Sequence, residues 1–356
     1  MLASWDIRSI LSASVRRLWS RLGSLVPHPT RLFGQLHGIM GGSWACMWQY
    51  LCPLPAAPMS VRKSAQPLLF RREGDDVSDR AFNEFCRILE LKTEVSPHYL
   101  DDHFLINEPM RRTVVEWIIE VCLDFGLSDE TMHLAVSVFD RYLACTYIEA
   151  ARLQLLAVVA VYLAWKVDED ELSPPASAMT ELALDQFSKE QLFRMEYTVV
   201  QRLDHQLLSP SSVTFLFAYA DACAADDTGA AVTRSTLPRH LKSLQVASMV
   251  LCTARTSKSM LAWRPSLQAA AALVIGRAAL GLRPCVPAEL HAITTYPVDL
   301  VAPCARALLA NHEGNALHKL NLFRSRFEDV IDVVSPKLCD DLGRSVECAD
   351  APAQRL

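Results

Sequence analysis

Residues able to do chemistry are plentiful in this chain and poorly arranged for it. The eleven cysteines (Cys46, Cys52, Cys86, Cys122, Cys145, Cys223, Cys252, Cys285, Cys304, Cys339 and Cys348) are odd in number, scattered, and never spaced as CxxC. A zinc site needs close pairs of thiolates or imidazoles, and the ten histidines show no ligand pairing at helical spacing either. HExxH, P-loop and GxSxG patterns are missing, as is a glycine-rich loop ahead of a kinase-type lysine. The expectation is therefore a non-catalytic protein with no metal and no cofactor. Most of the cysteines sit in apolar runs, where a thiol behaves as a small hydrophobe. Reduced structural cysteines favour the cytosol or nucleus over secretion.

The elements that must hold these residues are helices. Glycine makes up 12 of 356 residues, about 3% against a usual ~7%, which weakens Rossmann, P-loop and hairpin-rich readings. Half the chain is apolar (51%) and the net charge is −5, so sizeable cores can form. The longest apolar run, Leu153 to Trp165, lies between Arg152 and Lys166. It is shorter than the ~20 residues a bilayer needs, so a buried core helix is expected and no membrane span.

From Asp79 the chain reads as helix after helix. Asn107-Glu108-Pro109 starts Met110–Asp124, and Ser128 with Asp129 and Glu130 starts Glu130–Ala144, acids sitting where the helix dipole favours them. Ala150–Lys166 is apolar on every face, and the acidic stretch Asp168–Glu171 followed by Ser173-Pro174-Pro175 closes it. A short helix at Ala176–Leu184 comes next, then Lys189–Leu203, opened by a Ser188/Gln191 capping box. The pattern restarts with Ser211–Cys223, Pro238 to about Ala254, Pro265–Leu280, Pro287–Ile293, Pro297–Ala310 and Asn315–Phe323. The fold class expected is all-α: two tandem five-helix bundles preceded by a helix.

Met110–Asp124 has more apolar surface than one core needs. Val115, Ile118, Ile119 and Cys122 form one stripe; Met110, Val114, Trp117 and Val121 form a second, flanked by Glu120. One wide buried face explains this, and so does a groove for a peptide carrying a basic and an aliphatic residue. Lys189–Leu203 repeats the theme, with Leu192, Met195, Val199 and Leu203 inward and Phe193, Tyr197 and Val200 as a second stripe beside Glu196. On pattern alone, Lys166 and Glu196 read as an ordinary surface cation and anion.

Met110-Arg111 through Glu116-Trp117-Ile118-Ile119-Glu120-Val121 resembles the opening of a cyclin box. Thr131-Met132-His133-Leu134-Ala135-Val136 with Phe139-Asp140-Arg141-Tyr142-Leu143 resembles its second helix. Leu153-Gln154-Leu155 with Leu163-Ala164-Trp165-Lys166 resembles the third, and Phe193-Arg194-Met195-Glu196-Tyr197 the fifth. Pro265 to Ala271, Tyr296-Pro297 and Leu300 through Cys304 are similar to the second cyclin fold. The resemblance covers about Asp79 to Phe327 and is nearest to A/B-type cyclins. It implies a preceding helix and N-terminal box over 79–208, a C-terminal cyclin fold over 209–328 and a flexible tail over 329–356.

The resemblance also implies a partner, a cyclin-dependent serine/threonine kinase that the chain binds and activates. Lys166 and Glu196 match the family's kinase-binding lysine and glutamate. Phe82, Phe85, Val200 and Leu207 match the apolar part of that interface. Met110, Val114, Trp117, Glu120 and Gln154 match the groove that docks substrates or inhibitors carrying basic-x-leucine motifs. The departures are Trp165 and Val167 either side of the lysine, Asp168-Glu169 where two glutamates are common, and His205 where an aromatic is usual; they bear on partner choice. The expected location is nucleus and cytoplasm.

A transcriptional or orphan cyclin fits the same motifs. A transcription-factor-IIB-like two-bundle adaptor is the alternative from another class; it should present a basic face to DNA. The first 60 residues carry five arginines against Asp6, so the −5 total leaves −9 on residues 61–356, and no zinc-ribbon cysteines occur. Direct nucleic-acid binding is not expected. Residues 1–75, basic and holding four of the seven tryptophans, read as a disordered extension. Transit-peptide composition and an over-long gene start ahead of Met59 are the alternatives. Arg8-Ser9-Ile10-Leu11 is a weak degradation-box match, and no LxCxE motif occurs.

Overall fold

The computed structural model describes residues 79–334 except 102, 104, 170–173, 184–185 and 227–236. The expectations for residues 1–75, Arg8–Leu11 included, and for 335–356 lie outside the described residues. Among the described residues there are twelve α-helices and no strand. They are α1 (Asp79–Lys92), α2 (Glu108–Asp124), α3 (Asp129–Cys145), α4 (Leu153–Asp168), α5 (Ala176–Leu182), α6 (Lys189–Arg202), α7 (Ser212–Asp226), α8 (Leu237–Ala254), α9 (Pro265–Ala279), α10 (Ala288–Thr294), α11 (Val298–His312) and α12 (Asn321–Arg326).

Helices α2 to α6 form one bundle and α7 to α11 a second. In the first, α4 is the axis: it packs against α2, α3, α5 and α6. Leu153 and every residue from Leu155 to Ala164 are buried, each large aliphatic one contributing about 1.5–3 kcal/mol. Ala150–Asp168 is long and apolar enough by composition to cross a membrane, yet most of it is enclosed by its neighbours. In the second bundle the axis is α9, packed against α7, α8, α10 and α11. Alanines 269 to 272 are fully buried there. Gly276 brings α8 close: a Cβ at that position would lie 2.1 Å from the Ser243 carbonyl oxygen.

The helix starts obey their sequence signals. Asn107 Oδ1 accepts from Met110 N (3.0 Å), and the Ser188/Gln191 capping box is complete on α6. Ser128 caps α3 by accepting from Thr131 N at 2.9 Å. The acidic stretch does more than end α4. Thr131 Oγ1 lies 2.7 Å from a carboxylate oxygen of both Asp168 and Glu169, its single proton shared between them, and Glu169 accepts from Ser128 N at 2.7 Å. Long-range bonds thus secure the start of α3.

The segments flanking the first and second bundles pack across the molecule. Helix α1 precedes the first bundle in the chain but docks on α7 and α9 of the second. Its Glu90 carboxylate accepts from Ser266 N (2.6 Å) and Ser266 Oγ (2.8 Å) and so caps α9 from outside. Burial pushes the Glu90 carboxyl up, against the pull of these two bonds. Asn83 and Arg87 donate to the Ile293 and Thr294 carbonyls at the end of α10. In the segment expected as a flexible tail from 329, Val330 is fully buried, as is Phe323 before it, with Phe327 4% exposed. The C-terminal segment carrying α12 packs back onto α2, and Arg326 pairs with Asp129 at 2.7 Å.

Candidate functional site

Lys166 and Glu196 meet. Lys166 Nζ donates to Glu196 Oε1 at 2.6 Å, with the two side chains 30% and 19% exposed. The pair is assembled by the contact of α4 with α6. Lys166 lies in the last turn of α4, where the dipole favours a cation. Its ammonium also sits 3.7 Å from the ring centroid of Tyr162, one turn earlier. The lysine is thus held from two sides and still reaches solvent. Tyr162 was not singled out from the sequence; its i−4 spacing from Lys166 was the available signal.

Around the pair, α6 leaves Phe193 and Tyr197 48% and 67% exposed. Val200 and Leu207 are half-buried, each packed against the core on one side. Phe82 and Phe85 are half-buried on α1, which is docked on the second bundle. The expected kinase-contact residues therefore come from two elements that touch different bundles. Trp165 and Val167 turn inward: the Trp165 ring packs edge-on against Phe125 at 5.2 Å, and both residues lie against the core.

The expected groove is more closed than its sequence pattern suggests. Val114 and Trp117 are 3% and 2% exposed, while Met110, Glu120 and Gln154 are half-buried. The second stripe of α2 is therefore largely internal, because α3, α4 and α12 all pack on this helix. Two polar atoms stand out there. Trp117 Nε1 and Gln154 Nε2 are buried donors without an acceptor in the protein, and such donors are costly unless a partner arrives.

Sequence reasoning missed a buried ionic cluster beneath these surfaces. Arg111 is fully buried and grips Asp140 in bidentate fashion, Nε to Oδ1 at 2.8 Å and Nη2 to Oδ2 at 2.7 Å. Tyr99 donates its hydroxyl to Asp140 Oδ1 at 2.8 Å. Arg111 also donates to the carbonyls of Arg255 and Thr256, both at 3.3 Å, at the end of α8. The cluster joins the two bundles. Its signal was present, since Arg111 lies four residues before Val115 and so falls on the inward stripe of α2.

The start of α3 carries a second set of buried charges. Asp129 accepts from Arg326 and from the Ser248 hydroxyl, and its carboxyl is held low although burial acts the other way. Neighbouring Glu130 has Oε1 cut off from water and without a partner. Burial, reinforced by Asp129, Asp168 and Glu169, pushes its carboxyl up to about 8. One turn on, buried His133 is pushed down to about 3, first by burial and then by Arg255. Among the described residues no three or more His, Cys, Asp or Glu side chains are grouped to hold a metal ion. All seven described cysteines are thiols and six are buried; burial pushes Cys86 and Cys304 up to about 12.

This architecture defines a class, all-helical proteins of two repeated five-helix bundles joined by a short linker. Residues 82–208 match the family profile "Cyclin, N-terminal domain" and residues 210–335 match "Cyclin, C-terminal domain". The chain belongs to the cyclin family. It is 30% identical over 264 residues to Cyclin-A1 of Xenopus laevis, covering 70% of this chain and 58% of that protein. It is 28% identical to G2/mitotic-specific cyclin S13-7 of Glycine max, covering 69% and 90%, and 29% identical to G2/mitotic-specific cyclin-A of Drosophila melanogaster, covering 61% and 41%. The chain thus spans about half the length of several curated relatives. A viral cyclin from herpesvirus saimiri shares the fold, with a TM-score of 0.57 and 17% identity over 67% of this chain and 99% of that one.

Proposed function

We propose that this chain is a non-catalytic regulatory subunit that binds a cyclin-dependent serine/threonine kinase, holds it in its active arrangement, and so acts in cell-cycle progression in nucleus and cytoplasm. The observation that carries the reading is the Lys166–Glu196 pair, preformed at 2.6 Å on the surface of the first bundle beside exposed Phe193 and Tyr197. A kinase helix docking there meets a charge pair at a fixed register and apolar contacts around it. Charges of this kind set orientation as well as affinity. Activation results from population shift, because the subunit binds the active kinase conformation more tightly than the inactive one.

Substrate recruitment is the second part of the proposal. The orphaned donors Trp117 Nε1 and Gln154 Nε2, with Glu120 nearby on α2, suit an extended peptide. Its backbone carbonyls would accept from the two donors once the face opens to expose them, and its basic side chain would face the acid.

The test uses purified full-length chain and a purified cyclin-dependent kinase that pairs with A-type cyclins, with histone as phosphate acceptor. Wild type forms a heterodimer and raises histone phosphorylation, and Lys166→Ala/Glu196→Ala loses both while keeping its helical circular dichroism. Kinase bound equally by the double variant would move the interface away from this pair. Absence of binding by wild type across a panel of such kinases would overturn the proposal.

A further inference from the structure

The loop between α6 and α7 carries Leu207, and its shape is unusual. Asp204 and His205 are both left-handed, with φ of 50° and 59°. Neither is glycine, and such residues keep this conformation only where their surroundings enforce it. Local bonds account for part of the enforcement. His205 N donates to Val200 O at 3.0 Å and Asp204 N to Gln201 O at 3.1 Å, closing the end of α6. The His205 ring lies against the Gln201 amide, with 3.1 Å between Nε2 and Nε2.

The two residues after this turn are held from α3. Arg141 Nη2 donates to Gln206 O at 2.6 Å and Nη1 to Leu207 O at 3.1 Å. One turn further along α3, Cys145 Sγ lies 3.9 Å from Arg202 O. The guanidinium thus bridges two successive carbonyls immediately after the strained pair. Farther along, Ser209 Oγ lies 2.9 Å from Thr93 Oγ1 just beyond α1. The loop therefore runs between the element bearing Val200 and Glu196 and the element bearing Phe82 and Phe85.

We infer that Arg141 is a positioning residue for partner docking: its two hydrogen bonds hold the left-handed Asp204-His205 turn so that Leu207 stays registered with Val200 and the Lys166–Glu196 pair. The inference rests on the kinase-binding reading above. Arg141 need not touch the kinase. Its planar fork suits two adjacent carbonyls, and a lysine offers only a point charge in its place.

The experiment measures equilibrium binding of the full chain to the same purified kinase, with amide hydrogen exchange on the unbound chain. Arg141→Ala is expected to weaken binding by about tenfold or more, the scale of losing charge-assisted bonds. It should also speed exchange over 203–208 while protection in α4 and α9 stays as in wild type. Arg141→Lys should fall between the two. Asp204→Gly/His205→Gly introduced into Arg141→Ala should recover part of the binding, since glycine adopts the turn without strain. A residue that merely stabilised the fold would give no such rescue.

Wild-type binding by Arg141→Ala, with binding lost in Lys166→Ala/Glu196→Ala, would overturn this inference and leave the kinase reading standing. Lost binding with unchanged exchange over 203–208 would also overturn it. Failure of wild type to bind would remove the reading and the inference together. Should the alanine variant unfold, the lysine variant decides by the same two measurements: faster loop exchange with weaker binding supports the inference, and unchanged values overturn it.

Discussion

The two bundles share a plan and differ in what their central helices do with a terminal cation. In the first, α4 ends in Lys166, which reaches the surface and pairs across to Glu196. In the second, the corresponding turn of α9 carries Arg277, which is 3% exposed and donates from Nε to the Pro284 carbonyl at 3.2 Å. One bundle presents its cation and the other encloses it. The lesson is a division of labour within a repeated fold. The first bundle keeps charged and aromatic groups available at its α4–α6 edge. The second is closed by alanine packing and braces the first where Arg111 of the Arg111–Asp140 cluster meets the end of α8 and where Ser248 donates to Asp129.

The sharpest break of this contrast is removal of one charge from the inter-bundle cluster. Asp140→Asn leaves the Arg111 guanidinium buried without its counter-charge, and stability should fall by about 3–5 kcal/mol. Urea unfolding of the full chain measures it. Arg111→Met/Asp140→Leu should recover only part of the loss, because Arg255, 3.9 Å from Asp140, is then left as the stranded charge. A single variant as stable as wild type would show that the cluster is not what joins the bundles.

The closed character of the second bundle is tested next by Gly276→Ala. The added methyl would sit 2.1 Å from the Ser243 carbonyl oxygen, so α8 and α9 must separate at a cost of about 1–3 kcal/mol. The loss should appear in the unfolding midpoint, with kinase binding by the folded fraction unchanged. A neutral substitution would mean that the helices separate freely and that α9 is not tightly enclosed.

Proton linkage sharpens the contrast further. His133, between the bundles, is pushed down to about 3 and His312, in the second, to about 4, from an ordinary 6.5. Below 6.5 the unfolded chain takes up protons that the folded chain refuses, so stability falls as pH drops. Each histidine contributes about 1.4 kcal/mol per pH unit in the steep part of that window. Glu130 works in the opposite sense. Its carboxyl is pushed up from 4.5 to about 8, so the folded state holds the extra proton and stability falls as pH rises through that range. His133→Gln should flatten the acid limb from pH 6.5 down towards 3, most steeply below about pH 5.5, and Glu130→Gln the limb between pH 4.5 and 8, in denaturant titrations across pH. An unchanged acid limb in His133→Gln would show that this histidine titrates as in the unfolded chain.

Much of this was legible in the sequence. Helices α2 to α6 start and stop within about three residues of where caps, prolines and periodicity put them, because those signals act locally. Three features were not legible, each for a different reason. Helix α1 docks on α9 through Glu90 and Ser266, 176 residues apart, and nothing local encodes that choice. Arg111 falls on an inward stripe whose apolar members hid it, and its partner Asp140 is 29 residues away on α3. On pattern alone Val114 and Trp117 fit one wide buried face and the resemblance placed them in a groove; they are 3% and 2% exposed because helices distant in sequence pack on α2.

The smallest expected effect on stability belongs to the pair proposed to matter most for docking. Lys166 and Glu196 are 30% and 19% exposed, and water screens them. A double-mutant cycle over Lys166→Ala and Glu196→Ala should therefore give a coupling of about 1 kcal/mol or less in unfolding, weakened further by salt. The same cycle read out in kinase binding should give a much larger loss, because docking removes water from both charges. The Arg111–Asp140 cycle should run the other way, large in unfolding and small in binding by the folded fraction. If both pairs moved stability and binding in proportion, the two ionic sites would be two degrees of one structural role. Opposite proportions separate a brace from a docking contact, and that separation is what the contrast between the bundles predicts.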